Sequence, residues 1–195
     1  MTQHYIFGYG SLIDTRSRRK TTPLAHTAYP AMISGLGRGW WIHGLSGWAI
    51  TWLAVQFQAG AQCNGVIYAV SERELRHTDW RERGYKRAQI PAESITMLAG
   101  DAPDGPVWTY TAPVRERPHP GKPIWQSYVD MCIRGCLEIE RDYPDFTADF
   151  VRTTQDWSNH WVNNRAGRKT DGVMPVGVIR QMLYAQLPSG ITPPI

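Results

Sequence analysis

The sequence predicts an α+β fold in which a small, mixed, β-barrel-like sheet is flanked by helices. Apolar and aromatic runs with the length of strands follow one another through residues 4–111, and a single helical segment interrupts them. Helical spacing dominates only from about residue 124, after a proline-rich segment. Glycines inside the strands are typical of the bends and bulges of a small barrel. The chain has 195 residues, 42% of them hydrophobic, and we predict one domain over 1–195.

The first predicted strand covers residues 4–9 and leads into a loop at 10–13. At this junction the sequence reads Gly8-Tyr9-Gly10-Ser11-Leu12. Glycine permits close approach of the backbone and positive φ, so such a loop can direct several N–H groups at one point and hold a carboxylate or phosphate. An ordinary strand-to-loop turn explains the same residues equally well.

The following elements are predicted from their local patterns. Asp14 to Thr22 is polar and basic, which indicates a loop or irregular turn on the surface. Ser71 and Glu74 have the form of a capping box, which predicts a helix from there to about Trp80. Strands are predicted over 27–47, Trp48–Gln58, Gln62–Val70, Tyr85–Ile90, Glu93–Leu98 and Val107–Thr111.

Helices are expected in the last third of the chain. One follows the proline-rich loop Pro113–Pro123, and Gly135 on its inward face suggests close packing against the sheet. A second helix is predicted at about 145–153 and a short third one at Trp157–Arg165, followed by an irregular tail. Helical spacing over five turns links Ile124, Tyr128, Met131, Cys132, Gly135 and Ile139.

Charge and cysteine content limit the classes of partner. The formal net charge is +4, and the basic residues form either a solvated face or a field that attracts anionic substrates. No nucleic-acid-binding motif accompanies them, so we expect no nucleic-acid partner. The odd count of three cysteines predicts reduced, structural thiols. The two basic clusters are Arg16, Arg18, Arg19 and Lys20, then Arg165, Arg168 and Lys169.

No signal-peptide pattern follows Met1, and no apolar run approaches the roughly 20 residues of a membrane span. We therefore expect a cytoplasmic protein without a membrane partner. The sequence does not indicate an oligomeric state.

Glu82 is the best candidate for acid–base chemistry. It follows a predicted helix and precedes an aromatic strand, although a solvated surface carboxylate explains the same position. Asp79, three residues earlier, is expected to hold the turn or to pair with Arg83 or Arg87. Ser11 is not part of a G-x-S-x-G elbow, so we do not expect a serine nucleophile. The six histidines are scattered without an H-x-x-x-H pair, and we expect neither a metal nor a cofactor.

Two stretches together resemble one family. Phe7-Gly8-Tyr9-Gly10-Ser11-Leu12 resembles the Tyr-Gly-Ser-Leu loop of the γ-glutamylcyclotransferase superfamily. Asp79-Trp80-Arg81-Glu82-Arg83-Gly84-Tyr85 resembles its later Asp-x-x-Glu segment, in the ChaC-like form that ends in Gly-Tyr. Their order and spacing agree with the ChaC-like and AIG2-like members over roughly residues 4–140. Thr78 and Trp80 depart from the pattern, and neither the aromatic-rich segment 36–57 nor the tail from 157 matches a characterised substrate class.

The resemblance implies a γ-glutamylcyclotransferase-like fold and a metal-independent enzyme. Its substrate would be a small γ-glutamyl compound, cyclised to 5-oxoproline with release of an amine or amino acid, as in glutathione metabolism. Glu82 would be the general acid and base. Substrate-binding residues would be Tyr9, Gly10, Ser11, Leu12, Tyr85, Tyr110 and Tyr128. The alternative is a non-catalytic protein of the same fold that binds a small anion at the loop.

Overall fold

The computed structural model describes residues 3–23, 25, 27–45, 47–165 and 176–194. Strands and helices alternate through the first two thirds of the chain, and helices dominate the last third. In chain order the elements are β1 (His4–Gly8), α1 (Thr15–Thr21), β2 (Tyr29–His43), β3 (Thr51–Val70), α2 (Glu72–Arg81), β4 (Lys86–Ile90), a 3₁₀ turn (Ala92–Ser94), β5 (Ile95–Met97), β6 (Val107–Thr111), β7 (Ile124–Trp125), α3 (Gln126–Glu140), α4 (Phe146–Thr153), β8 (Thr154–Gln155), β9 (Trp161–Val162) and α5 (Val176–Gln186).

A mixed sheet of seven strands forms the centre of the described part of the chain. Its order is β4-β6-β1-β3-β2-β5, and β8 adds to β2. β1 pairs antiparallel with the end of β3, from His4 opposite Val70 to Gly8 opposite Val66, and parallel with β6. Because strands and helices are mixed around this sheet, the α+β prediction is confirmed. The edge strands β4 and β5 do not pair with each other within the described residues, but β6 pairs with both β1 and β3, so the sheet is strongly curled.

The β2–β3 hairpin bends the sheet. Its register shifts between Ser34 and Leu36, and Gly35 and Gly60 at this bulge both have positive φ, which side chains with a Cβ rarely adopt. The glycine bend predicted for β2 is therefore confirmed. The first half of β3 then reaches β6, where Val55 pairs with Thr111. β1 ends at Gly8, so the space between β3 and β6 beyond that point is left for the loop that follows β1.

Two local predictions for the first half of the chain were wrong. The stretch 14–22 contains α1, whose N-cap Asp14 accepts a hydrogen bond from the Ser17 N–H. The run of basic residues was interpreted as a surface loop. Arg18, however, turns inward and is buried, which gives the helix a buried side. The two strands predicted on either side of Gly60 are one continuous strand, β3. The capping box of Ser71 and Glu74 is present as predicted.

The last third of the chain differs more from expectation. Trp157–Arg165 contains the two-residue strand β9 and is not helical, because Trp161 and Val162 pair with β7. Ile124 lies in β7, so α3 begins two residues later than the periodicity indicated. The helix α5 was not predicted, whereas residues 187–194 are irregular as expected. Arg168 and Lys169 of the second basic cluster lie outside the described residues.

Gly135 packs against the loop after β1, and not against the sheet. A Cβ atom at this position would lie 2.4 Å from the backbone N of Asp14 and 2.7 Å from the carbonyl carbon of Ile13. Beside it, Arg134 Nε contacts the buried carboxylate of Asp14 at 2.6 Å. α3 therefore lies directly on the segment that carries the glycine motif. No helix of the described residues is long and apolar enough to span a bilayer.

Candidate active site

The loop Tyr9–Ile13 begins where β1 ends, and its glycines are required for space. Neither Gly8 nor Gly10 has a positive φ, so close approach of the backbone, and not a left-handed conformation, is what these glycines provide. A Cβ on Gly8 would lie 2.7 Å from Leu12 Cβ, and one on Gly10 would lie 2.9 Å from Tyr128 Oη. Contacts this short are not compatible with a side chain. The glycines therefore let the loop fold back on itself and let Tyr128 approach it.

The carbonyl oxygens of this loop are held by donors. Arg38 Nη1 donates to Tyr9 O at 3.2 Å, and Arg18 Nη1 donates to Leu12 O at 3.0 Å and to Ile13 O at 2.9 Å. Gly10 O accepts from Ile13 N at 3.0 Å. In a trans peptide the N–H and C=O point in opposite directions. The N–H of Gly10 therefore points away from Arg38.

The N–H groups of the same loop are left for a ligand. Those of Gly10 and Leu12 donate to no other group among the described residues. The Ser11 N–H is directed at the Tyr128 hydroxyl. Free N–H groups of this kind are suited to an anion, which is one of the two roles expected for the loop. The Ser11 side chain has no base beside it in the pocket other than Glu82.

Arg38 is the buried support of the loop. Its guanidinium is fully buried and also donates to Asn64 O at 2.7 Å, to Asn64 Oδ1 at 2.9 Å and to Phe150 O at 2.8 Å. It lies over the Phe150 ring, 3.9 Å from the centroid. Among the described residues no carboxylate pairs with it. Its positive charge is therefore not neutralised locally, which adds to the attraction of an anion at the loop.

Glu82 lies at the C-terminal end of α2. Its N–H donates to Thr78 O at 2.8 Å, and its side chain is 17% exposed. Burial raises the pKa of the Glu82 carboxyl above its usual range, and the nearby Arg81 guanidinium, 3.3 Å away, opposes that rise. A carboxyl with a raised pKa exchanges protons more readily near neutral pH. Local sequence did not distinguish this from a surface carboxylate, and the structure places it in a cleft.

Four tyrosines surround the same space, and the hydroxyls of Tyr9, Tyr85 and Tyr110 donate hydrogen bonds to acceptors of the protein. Tyr9 Oη donates to Tyr110 O at 2.6 Å, Tyr85 Oη to Leu53 O at 3.1 Å and Tyr110 Oη to Asp79 Oδ1 at 2.9 Å. Burial raises the pKa of all four phenols, including Tyr128, so each stays protonated near neutral pH.

One small pocket brings the predicted residues together. All eight residues predicted for the site line it, with Phe7 and Leu53 in addition. Its volume of about 40 Å³ leaves room for about three water-sized groups. Here Glu82 shares a single cavity with Gly10, Ser11 and Leu12, although they are some 70 positions apart in the sequence.

A larger outer pocket, which we call the vestibule, opens from the small one. Ser11, Glu82, Tyr85 and Tyr128 line both. The vestibule has a volume of about 340 Å³. Much of its wall comes from the aromatic-rich segment 36–57, for which the sequence predicted no role. The residues found only in the vestibule are Ile42, His43, Leu45, Trp48, Trp52, Arg81 and Gly84.

Asp79 has the supporting position that the sequence predicted. Its Oδ2 pairs with Arg87 Nη1 at 2.7 Å, while its Oδ1 accepts from Tyr110. Arg38 and Arg18 were not recognised as supports of the site. The glycines on either side of Arg38 marked a bent strand, but nothing local indicated that its side chain turns inward. Within the described part of the chain, no group of three or more His, Cys, Asp and Glu side chains is arranged to hold a metal ion.

A curled mixed sheet, with a glycine loop and a largely buried carboxyl that line one pocket, characterises this protein. Solved structures share the architecture. A γ-glutamyl cyclotransferase aligns over 94% of this chain and 99% of its own, with a TM-score of 0.63 and 14% identity. An uncharacterized protein from Homo sapiens aligns over 77% of this chain and 87% of its own, with a TM-score of 0.58 and 15% identity.

YkqA from Bacillus subtilis aligns over 75% of this chain and 52% of its own, with a TM-score of 0.55 and 18% identity. No protein-family model and no curated protein matches the sequence. The chain therefore has the γ-glutamylcyclotransferase-like fold, and the resemblance found in the sequence is confirmed at the level of the fold.

Proposed function

We propose that this protein cyclises the γ-glutamyl group of a small γ-glutamyl compound to 5-oxoproline and releases an amine or amino acid. The observation that carries the proposal is the pocket that the largely buried Glu82 side chain and the glycine loop line together. The shared fold with a γ-glutamyl cyclotransferase supports the same reaction.

The loop would bind the α-carboxylate of the substrate. The free N–H groups of Gly10 and Leu12 are suitable donors, and the charge of Arg38 behind the loop favours an anion there. The small volume of the inner pocket suits this end of the substrate. The γ-carbonyl would then lie at the junction with the vestibule, beside Glu82.

Glu82 would transfer the protons. The substrate's α-ammonium group first releases one proton to solvent, and Glu82 then accepts the second proton, which the attacking nitrogen gives up as the new bond forms. A bond forms between the α-nitrogen and the γ-carbon, and the bond from that carbon to the departing nitrogen breaks. Glu82 returns the proton to the departing amine. Atoms balance without water, and the raised pKa of Glu82 suits a group that acts as base and then as acid.

Holding the substrate in a reactive conformation accounts for much of the expected rate. The attack is intramolecular, so the enzyme needs no nucleophile of its own, in keeping with the shaping role of Ser11. The oxyanion that develops at the γ-carbonyl oxygen needs a donor, and the Tyr128 hydroxyl at the loop is a candidate. Tyr85 and Tyr110 would form walls, since their hydroxyls already donate elsewhere.

The test is release of 5-oxoproline from a panel of γ-glutamyl compounds. Glu82→Gln preserves size and should lower the rate by at least about a hundredfold. Glu72→Gln is the matched control, because Glu72 is an exposed carboxylate on the same helix, paired with Arg76. Circular dichroism checks that both variants fold. Full activity in folded Glu82→Gln would overturn the assignment.

A non-catalytic anion-binding protein is the second candidate. The pair between Arg81 and Glu82 favours it, because a carboxylate held by a guanidinium is a weaker base. In that case Glu82→Gln would still bind a γ-glutamyl compound in calorimetry, and no compound of the panel would be cyclised by the wild type.

A further inference from the structure

The vestibule indicates which leaving group the substrate carries. It shares Ser11, Glu82, Tyr85 and Tyr128 with the inner pocket, so it begins where the departing nitrogen would leave. Its volume of about 340 Å³ lies at the lower end of the range for small-molecule sites. The group bound there is therefore larger than a methyl or ethyl group, and the walls decide its chemistry.

The walls are largely apolar and aromatic. Leu45 and Trp48 at the rim are 59% and 54% exposed, which is unusual for side chains of this size close to a pocket. Trp52 lies deeper and meets the Tyr128 ring edge-on, with centroids 4.7 Å apart. Trp125 lies behind them, at 5.8 Å from Trp48 and 6.5 Å from Trp52. A continuous aromatic surface thus extends from the rim to the mouth of the inner pocket.

The rim is held in place by hydrogen bonds. Lys122 Nζ donates to Gly44 O and to Trp48 O, both at 2.8 Å. The Gly44 N–H donates to Ile50 O at 2.8 Å, and the Trp125 indole N–H donates to Ala49 O at 2.7 Å. These bonds fix the backbone on both sides of Trp48. A pre-ordered wall loses less entropy when a ligand packs against it.

The charges of the vestibule do not favour a carboxylate on the leaving group. Its two basic lining residues face carboxylates already: Arg81 pairs with Glu82 at 3.3 Å, and His43 Nδ1 lies 3.6 Å from Glu116. Arg81 also donates to Thr21. Lys122 is not among the lining residues. A carboxylate on the leaving group would therefore lie near Glu82 and Glu116, while both basic residues that line the vestibule are already paired.

We propose that the vestibule binds an apolar, aromatic amine as the leaving group, so that the substrates are γ-glutamyl derivatives of arylalkyl amines. This inference rests on the proposed cyclisation. It distinguishes such amides from γ-glutamyl amino acids and peptides, whose leaving groups carry a carboxylate. In the reaction the departing nitrogen takes the proton from Glu82, and the aromatic ring stays against Trp48 and Trp52 until release.

The test compares substrates that are identical at the γ-glutamyl end. γ-Glutamylphenethylamine and γ-glutamylethylamine both release primary alkyl amines, so the reacting bond is matched and only the ring differs. We expect kcat/KM for 5-oxoproline release to be about ten to a hundred times higher with the ring. γ-Glutamylphenylalanine adds a carboxylate to the same ring, and we expect a value below that of the phenethylamine derivative.

Three variants locate the preference. Trp48→Ser should lower the phenethylamine-to-ethylamine ratio of kcat/KM at least about fivefold. Trp80→Ser is the control, because Trp80 is 67% exposed on α2 and does not line the vestibule, and it should leave the ratio unchanged. Leu45→Arg supplies a cation at the rim and should raise the phenylalanine-to-phenethylamine ratio. Comparing ratios between variants cancels the different reactivities of the leaving groups.

The outcomes are distinguishable. If γ-glutamylethylamine or γ-glutamylphenylalanine is cyclised as efficiently as γ-glutamylphenethylamine, the leaving-group assignment is overturned and the proposed function stands. If Trp48→Ser leaves the ratio intact, the assignment is likewise overturned. If no γ-glutamyl compound yields 5-oxoproline, the proposed function fails and the assignment fails with it.

Discussion

Arg38 and Tyr9 are joined by a hydrogen bond of 3.2 Å, in which a guanidinium nitrogen donates to the carbonyl oxygen of the glycine loop. The other partners of Arg38 are Asn64 in β3, Phe150 and Thr153 in α4, and Thr154 directly after α4. One side chain therefore connects the candidate anion site to the core. It turns the loop carbonyl away from the pocket and leaves an N–H for the ligand.

Replacing Arg38 tests this support. Arg38→Met removes a buried hydrogen-bonding group and leaves several acceptors without donors, so we expect unfolding to require about 3 kcal/mol less free energy. Urea denaturation followed by fluorescence measures the change. Arg38→Lys keeps the charge but loses the fork of donors, and it should raise KM less than Arg38→Met does. Wild-type stability in Arg38→Met would contradict the supporting role.

Stability should depend on pH through Glu82. Since burial raises its pKa, the folded state holds the proton more tightly than the unfolded state does. The contribution of Glu82 to stability is therefore complete below the ordinary carboxyl range and is lost as the pH rises through the raised pKa. The replaced side chain in Glu82→Gln does not titrate. As the pH rises from 4 to 8, which covers the range where a carboxyl with a raised pKa loses its proton, the free energy of unfolding of this variant should therefore increase relative to that of the wild type. A constant difference between the two proteins would refute the raised pKa.

Arg81 should set the acid limb of the pH–rate profile. Its guanidinium lowers the Glu82 pKa against the effect of burial. Arg81→Gln removes this influence, so the pH at which kcat/KM falls on the acid side should move upward. Arg81→Lys retains the charge and should shift it less. An unchanged acid limb in Arg81→Gln would show that Glu82 is not the group titrating there.

Gly10 and Tyr128 should behave as a coupled pair. The methyl group of Gly10→Ala would lie 2.9 Å from Tyr128 Oη, so the loop or the ring must move, and we expect kcat/KM to drop about tenfold or more. Tyr128→Phe removes the atom in conflict. The double variant should therefore be more active than the product of the two single effects. Strict multiplicativity in this double-mutant cycle would rule out the contact as the cause.

The sequence predicted an element correctly where the interactions that stabilise that element lie within a few residues of one another. The capping box at Ser71 is formed by its own side chain and by that of Glu74, and both lie in one turn. α1 was missed because its stability depends on Asp14 and on Arg18 turning inward, and Arg18 in a run of basic residues resembles a surface residue. Trp157 and Trp161 have helical spacing, but they stack because β9 pairs with β7.

The candidate site was predictable in part for the same reason. The glycine loop and Glu82 are each recognisable as motifs, and their resemblance to one family suggested that they meet. The vestibule was not predictable, because Trp48 and Trp52 line the same pocket as Glu82 although at least 30 positions separate them from it in the sequence. Arg38 gave no local signal, since its partners Tyr9, Asn64 and Phe150 are at least 26 positions away.

The hydrogen bonds that Arg38 donates also affect how the molecule unfolds. A loop held by bonds to β2, β3 and α4 cannot open alone, because opening would expose a buried guanidinium. The amide hydrogens around Asn64 and Phe150 should therefore exchange with solvent only through global unfolding. A ligand bound at the loop would then stabilise the whole fold against unfolding. A ligand at a hundred times its Kd would add about 2.7 kcal/mol to the cooperative transition. Thermal-shift screening thus becomes a direct way to find what this protein binds.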